Sequence, residues 1–199
     1  MATQEPATES QLVLGKSDDG RPTTLEEFAE AAFEEPWIYE RVDGRLVVMS
    51  PEGKGHVIQG VQWHQRLNVY AFDHPEIIQA VVSQAWMTIG DKNTRIADLG
   101  VYLGGNLEDL DIPNQIPDLV FEFVSQTKKD RRRDYVEKRA DYQKVGVREY
   151  VIVDRFDRKV TVLTLGPEGY QEQILIESDL YRSPLLPGFQ VVLAEVLPR

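Results

Sequence analysis

The 199-residue chain has no cysteine, which excludes disulfides, thiolate catalysis and zinc-thiolate sites. It also lacks any apolar run long enough to span a bilayer. Met1 to Ser10 carries Glu5 and Glu9 where a secretory signal would have a basic segment leading into an apolar one, so a cytoplasmic location and no membrane partner are the expectation. Positive charge is in deficit: the net charge is −11, which argues against a protein that coats nucleic acid through its general field. A phosphate-cradling glycine loop is missing as well, because Gly53-Lys54-Gly55 has neither the preceding glycine nor the following hydroxyl of a P-loop. No internal repeat or linker stands out. With 42% hydrophobic residues the chain is ordinary globular material, and the economical reading is a disordered tail over 1–21 and one domain over 22–199.

Two acidic residues stand inside runs that read as buried strands. Asp98 lies within Arg95 to Leu103 and Glu122 within Leu119 to Val124. Both runs are rich in β-branched and aromatic residues and bounded by turn formers such as Asn93-Thr94 and Asn114 to Pro117. A carboxylate withdrawn from water costs several kcal/mol unless it is paired, protonated or bound to a metal. Period-two alternation places Ile96, Asp98, Gly100 and Tyr102 on one face and Asp118, Val120, Glu122 and Val124 on one face of the next strand. Neighbouring strands in register would then aim both carboxylates at one place, with Gly100 leaving room there for an ion, a water or backbone.

A third residue joins them. From Lys129 to Val145 the chain reads as a helix closed by Gly146. Tyr135, Lys138, Tyr142 and Val145 recur at spacings of three, four and three, the inward stripe of an amphipathic helix. A lone lysine on such a face usually snorkels outward, but an inward carboxylate on the preceding strand supplies it with a partner. Between Lys128 and Arg139 seven basic residues meet three acidic ones, giving a local +4 and leaving −15 for the remainder. Such a run is either a solvated face laced by pairs such as Asp134 to Lys138 or a phosphate-binding edge.

The remaining elements follow from pattern. Thr24-Leu25-Glu26-Glu27 has the form of a capping box opening a helix to about Phe33. Asp43-Gly44 joins strands Trp37 to Val42 and Arg45 to Met49 in a hairpin. After a loop over Ser50 to Gly55, a helix over His56 to Phe72 counts Val57, Ile58, Val61 and Leu67 among its apolar positions. Strands are expected near 77–83, 86–89, 149–154, 160–165, 170–176 and 190–193. The order is that of an α/β (α+β) fold, with a meander followed by a strand–helix–strand crossover.

These residues resemble the Uma-two family of restriction-endonuclease-like proteins, within the PD-(D/E)XK nuclease superfamily. The resemblance rests on Asp98, Pro117-Asp118-Leu119-Val120-Phe121-Glu122-Phe123-Val124-Ser125, Lys138 and Tyr142 on the basic helix, and Gly146 to Asp154. Upstream, Tyr39-Glu40-Arg41-Val42-Asp43-Gly44, Leu46 to Pro51 and His56 belong to the same pattern. Two positions depart from it: Ala97 replaces the proline before the acid, and Val124 stands where the superfamily's lysine usually falls, so that Lys138 takes its place from the helix. The resemblance implies a restriction-endonuclease-like mixed central sheet flanked by helices with additional β-hairpins. It also implies Mg²⁺ or Mn²⁺ held by Asp98, Glu122 and the carbonyl of Phe123, with Lys138 as the third catalytic residue, and Glu40 and His56 as accessory candidates. Hard oxygen ligands of this kind suit such ions, and the reaction implied is endonucleolytic hydrolysis of DNA, with a homodimer plausible by analogy.

Blander readings stand beside these. Glu40 on a hairpin strand is by default a surface charge, His56 near a helix start a capping or solvent residue, and Asp118 and Asp154 turn formers. Ser125 has no evident base. The rival functions are a non-catalytic module that binds nucleic acid or protein, and a structural domain in which Asp98, Glu122 and Lys138 form a satisfied polar core.

Overall fold

The computed structural model describes residues 11–51, 53–104 and 115–197. Met1 to Ser10 of the expected tail, Glu52 of the loop and Asn114 of the expected turn lie outside the described residues. By internal contacts the chain divides into two compact units, one reaching to Pro51 and including Gly90–Thr94, the other formed by Glu52–Ile89 and Arg95–Arg199.

The first unit holds β1 (Val13–Leu14), α1 (Leu25–Glu30), β2 (Ala32–Phe33), β3 (Ile38–Val42) and β4 (Arg45–Met49). The helix opens as the capping box requires: Thr24 Oγ1 accepts from the Glu27 N–H at 3.0 Å and Glu27 Oε2 from the Thr24 N–H at 2.7 Å. It ends earlier than its composition suggests, because Ala31 is extended and Ala32–Phe33 pairs in parallel with Val13–Leu14. Residues 11–21, assigned to the tail by composition, thus contribute a strand whose Leu14 is fully buried. β3 and β4 form the expected hairpin, Val42 opposite Arg45, with Asp43 and Gly44 at φ 52° and 74°, the signature of a type I′ turn.

The second unit holds α2 (Lys54–Asp73), β5 (Ile78–Ile89), most of β6 (Asn93–Leu103), β7 (Leu119–Phe123), α3 (Lys128–Arg132), α4 (Arg139–Val145), β8 (Glu149–Asp154), β9 (Lys159–Gly166), β10 (Gly169–Ile176), β11 (Leu180–Arg182), β12 (Gln190–Val192) and α5 (Leu193–Val196). Its sheet runs β10-β9-β8-β7-β6, and β5 pairs with β6. β7 and β8 are parallel, joined by the helical crossover, and the neighbouring pairs are antiparallel. β5 is one strand where the sequence suggests two. The apparent break falls at Gln84, whose φ of 53° marks a local irregularity.

Two apolar clusters form the core of this unit. One gathers Trp63 and Leu67 of α2 with Leu99, Phe121, Val151 and Tyr181; the other gathers Tyr142 of α4 with Ala85, Ala97, Val120, Val124 and Ile152. Each large apolar side chain among them contributes about 1.5–3 kcal/mol when fully buried. On α2 the buried face is Gln59, Trp63, Leu67 and Tyr70. Val57, Ile58 and Val61, expected among its apolar positions, are exposed instead, because the large residues at spacings of four, four and three claim the core.

The basic helix also differs from a plain α-helix. Between α3 and α4 the residues Arg133–Lys138 form a π-helix, a wider turn often found at functional sites. Gly146 closes α4 in the left-handed conformation, φ 85°, as expected.

Candidate active site

The site lies where the β6–β7 ladder stops. Val101, Gly100 and Leu99 pair with Leu119, Val120 and Phe121. One step further, Asp98 Oδ2 accepts the Phe123 N–H at 2.7 Å, so a side chain replaces the strand-to-strand bond. Alternation on β6 is broken at the same point: Ala97 packs in the cluster with Tyr142, and Leu99 in the cluster with Trp63, although an unbroken strand would put both on one face. The expected single face of Ile96, Asp98, Gly100 and Tyr102 is corrected accordingly. Gly100 does not leave room for an ion either. A Cβ there would meet Ala85 Cβ at 2.6 Å and Pro117 Cγ at 2.9 Å.

His56, the third residue of α2, brings Nε2 to 3.0 Å from Asp98 Oδ2, with the two side chains only 12% and 16% exposed. Its ring packs edge-on against Phe123 at 5.8 Å. Burial would raise the Asp98 carboxyl, but the hydrogen bond and charge of His56, the Lys138 charge and the Phe123 N–H together hold it below its ordinary value. Asp98 opens onto a cleft of about 200 Å³ lined by His56, Gly60, His64, Ser83 and Phe123 among others.

Glu122 turns to the helical side of β7. Its Oε1 accepts from Lys138 Nζ at 2.8 Å and from the Tyr142 hydroxyl at 2.6 Å. Lys138 Nζ also donates to the Ile96 carbonyl at 2.8 Å, bridging β6 and β7. Glu122 and Lys138 are 2% and 3% exposed. Burial pushes the Glu122 carboxyl well above the usual carboxylate range; Lys138 opposes this, while the charges of Asp98 and Asp134 add to it. The structure therefore brings together Asp98 with His56, and Glu122 with Lys138, with electrostatic influence between the two pairs.

Glu40 belongs to the first unit, on β3, and its side chain is fully buried; it is not the surface charge its hairpin position suggests. His56 is neither a cap nor solvent-facing. Asp154 acts as the turn chemistry implies, accepting from the N–H groups of Phe156 and Asp157. Asp118 does not cap a turn: it accepts from the Leu103 N–H on β6 and from Arg148.

Sequence reasoning placed Tyr142 on the inward stripe without assigning it to the site, although its spacing of four from Lys138 already put both on one helical face. Buried Arg95, 2.7 Å from Asp141, and buried Asp134 left no comparable signal. The basic run is largely paired: Arg131 with Asp154 and Asp157, Arg132 with Glu137, Arg133 with Asp130, Lys138 with Glu122 and Arg139 with Glu172. Five of its seven basic residues thus take part in ion pairs.

A hard divalent ion takes oxygen ligands, and the two carboxylates are of that kind. The bonds from Phe123 and His56 fall on Asp98 Oδ2, and those from Lys138 and Tyr142 on Glu122 Oε1. No group of three or more His, Cys, Asp or Glu side chains converges among the described residues; a further oxygen would have to come from backbone or water. No helix among the described residues is long and apolar enough to cross a membrane.

No curated protein matches the chain. A solved structure from Anabaena variabilis ATCC 29413, described as "a putative nuclease belonging to DUF820", is similar with a TM-score of 0.72 and 16% identity, over 88% of this chain and 98% of that one. The shared architecture is the restriction-endonuclease-like one, a mostly antiparallel sheet flanked by few helices. A family model matches residues 25–195, and the chain belongs to that family, Uma2, described as "Putative restriction endonuclease".

Proposed function

We propose that this protein is a divalent-metal-dependent nuclease that hydrolyses phosphodiester bonds in DNA, with Asp98, Glu122 and Lys138 as its catalytic residues. The observation that carries the reading is the pair of acids at the end of the β6–β7 ladder, one fixed by the Phe123 N–H and the other by Lys138. Asp98, held below its ordinary pKa, is a ready ligand for Mg²⁺ or Mn²⁺, and Glu122 offers its second oxygen. In an extended strand the N–H and C=O of a residue leave by the same edge, so the Phe123 carbonyl faces Asp98 and completes the protein's share of ligands. A bound ion of this kind polarises the phosphate and lowers the pKa of a water.

The remaining work falls to the chain. Lys138, anchored to the Ile96 carbonyl, presents its charge to the phosphate as negative charge builds on the non-bridging oxygens. The attacking water forms the new P–O bond in line with the ester P–O bond that breaks, and the leaving sugar oxygen takes up a proton from solvent. His56 orients Asp98, and the proton of the attacking water passes to solvent.

Calorimetric titration of Mn²⁺ into wild type and Asp98→Ala tests the ligand assignment. Binding is expected in the former and lost in the latter. Hydrolysis of a single- or double-stranded DNA substrate is expected to disappear in both Asp98→Ala and Glu122→Gln; activity surviving both removes the proposed site. A specific observation favours a second reading: His56 already pairs Asp98, and Lys138 with Tyr142 already satisfies Glu122. This is the internal compensation a non-catalytic module would need. DNA or protein binding without Mn²⁺ binding would favour that alternative.

A further inference from the structure

The long helix α2 carries apolar residues on two opposite faces. One is the buried face built on Trp63 and Leu67. The other carries Ile58, Val61, Val69 and Phe72, which are 56%, 41%, 64% and 87% exposed, with exposed Gln65 at its centre. At 100° per residue these five fall within an arc of about 80°, diametrically opposite Trp63, and extend roughly 21 Å along the axis. Single exposed apolar residues are normal, whereas a contiguous row marks a contact surface.

The spacing, together with the charges at the helix ends, favours a second copy of the chain as the occupant. Measured from Gln65, the stripe sits at minus seven, minus four, zero, plus four and plus seven. A two-fold axis at Gln65 therefore maps Ile58 onto Phe72 and Val61 onto Val69. We propose that α2 is the interface of a symmetric dimer, in which two copies of the helix pack antiparallel about a two-fold axis at Gln65. Isologous contacts require such self-complementarity.

Charge agrees with the same arrangement. Lys54, exposed at one end of the helix, is carried by the symmetry onto position 76, so it meets the exposed Asp73 and Glu76 of the second copy. Lys54, Arg66 and Asp73 are the charged residues of α2, a net +1 within a chain of −11. Two copies thus approach here free of the general repulsion between acidic surfaces. The paired Gln65 amides hydrogen-bond across the axis and fix the register, as a lone polar residue does in a coiled coil. Val61, at the edge of the stripe, also lines the cleft onto which Asp98 opens, so the interface borders that cleft; the test of the interface reads oligomeric state and is independent of the proposed chemistry.

The cysteine-free chain makes the symmetry directly testable. Sedimentation equilibrium of the full chain is expected to give twice the chain mass. Val69→Glu should raise the dissociation constant on the order of a hundredfold or more, since each change enters the interface twice; its thermal unfolding as a monomer should remain cooperative because the position is exposed. Oxidised Gln65→Cys should form a disulfide-linked homodimer. Val61→Cys alone should not, since its two copies lie roughly 12 Å apart along the axis, but mixed with Val69→Cys it should cross-link. A wild type that is monomeric at every concentration overturns the proposal and leaves the stripe to a different protein. A dimer indifferent to Val69→Glu, or one in which Val61→Cys self-links better than Gln65→Cys, overturns it as well.

Discussion

Lys138 and Glu122 show how a buried charge is tolerated at the level of single residues. Removing one member of a buried pair leaves the other uncompensated, at a cost of about 3–5 kcal/mol. Lys138→Met is therefore expected to lower stability by that amount in denaturant unfolding. Lys138→Met combined with Glu122→Gln should cost clearly less than the sum of the two single changes; additivity would mean that the 2.8 Å contact carries no energy. Glu149, buried on β8, is a different case. Burial raises its carboxyl, only partly opposed by hydrogen bonds from Tyr181 and Ser183. A carboxyl with a raised folded-state pKa holds its proton in the folded chain after the unfolded chain has lost it. Its contribution to stability is full below the ordinary carboxylate range and declines as pH rises through the folded value. As pH rises above the ordinary carboxylate range the wild type should lose stability in this way until the folded-state value is passed, and Glu149→Gln should remove that part of the slope; equal slopes in urea unfolding would contradict the assignment.

At the level of elements, close approach and helix phase decide the outcome. Gly100 on β6 faces Ala85 and Pro117 at distances no Cβ could occupy, so Gly100→Ala is expected to cost about 1–3 kcal/mol by overpacking and to lower the unfolding midpoint accordingly. The π-helix between α3 and α4 sits between two anchors, Arg131 on Asp154 at 2.6 Å and Lys138 on Glu122 at 2.8 Å. A π-turn holds about one residue more than an α-turn over the same arc, so deleting the half-exposed Val136 is expected to leave a plain α-helix with both anchors in phase and Mn²⁺ binding retained. Deleting Val136 and Glu137 together shifts one flank by about 100° and is expected to destabilise the protein and abolish Mn²⁺ binding. An intact Mn²⁺ isotherm in the double deletion would show that helix phase does not govern the site.

For the whole molecule, charge bears on the proposed encounter with DNA. Five of the seven basic residues between Lys128 and Arg139 are engaged in ion pairs, and the chain as a whole is at −11. Few phosphates can then be neutralised on binding. Each contact contributes a slope of about −0.9 to the dependence of log affinity on log salt, and a total shallower than about −3 is expected for duplex DNA. A slope near that of strongly basic DNA-binding proteins would require cations that the observed pairing does not leave free.

Much of this was legible in the sequence because it depends on neighbours along the chain. The capping box at Thr24, the Asp43-Gly44 turn, the Gly146 cap and the strands around Asp98 and Glu122 are fixed by dihedral preference and short-range hydrogen bonding. The inward position of Lys138 follows from helical spacing, and the family pattern rests on residue types in order. Tertiary structure decided what depends on partners distant in sequence. Burial of Glu40, the pairing of His56 with Asp98, the crowding at Gly100 and the exposure of Val57, Ile58 and Val61 follow from which surfaces meet, and apolar spacing alone does not say which of two apolar faces reaches the core. The break in alternation at Asp98 belongs to the same class. There a carboxylate takes the place of a ladder bond to Phe123, a choice made by the adjoining strand and by the helix that brings His56 to it.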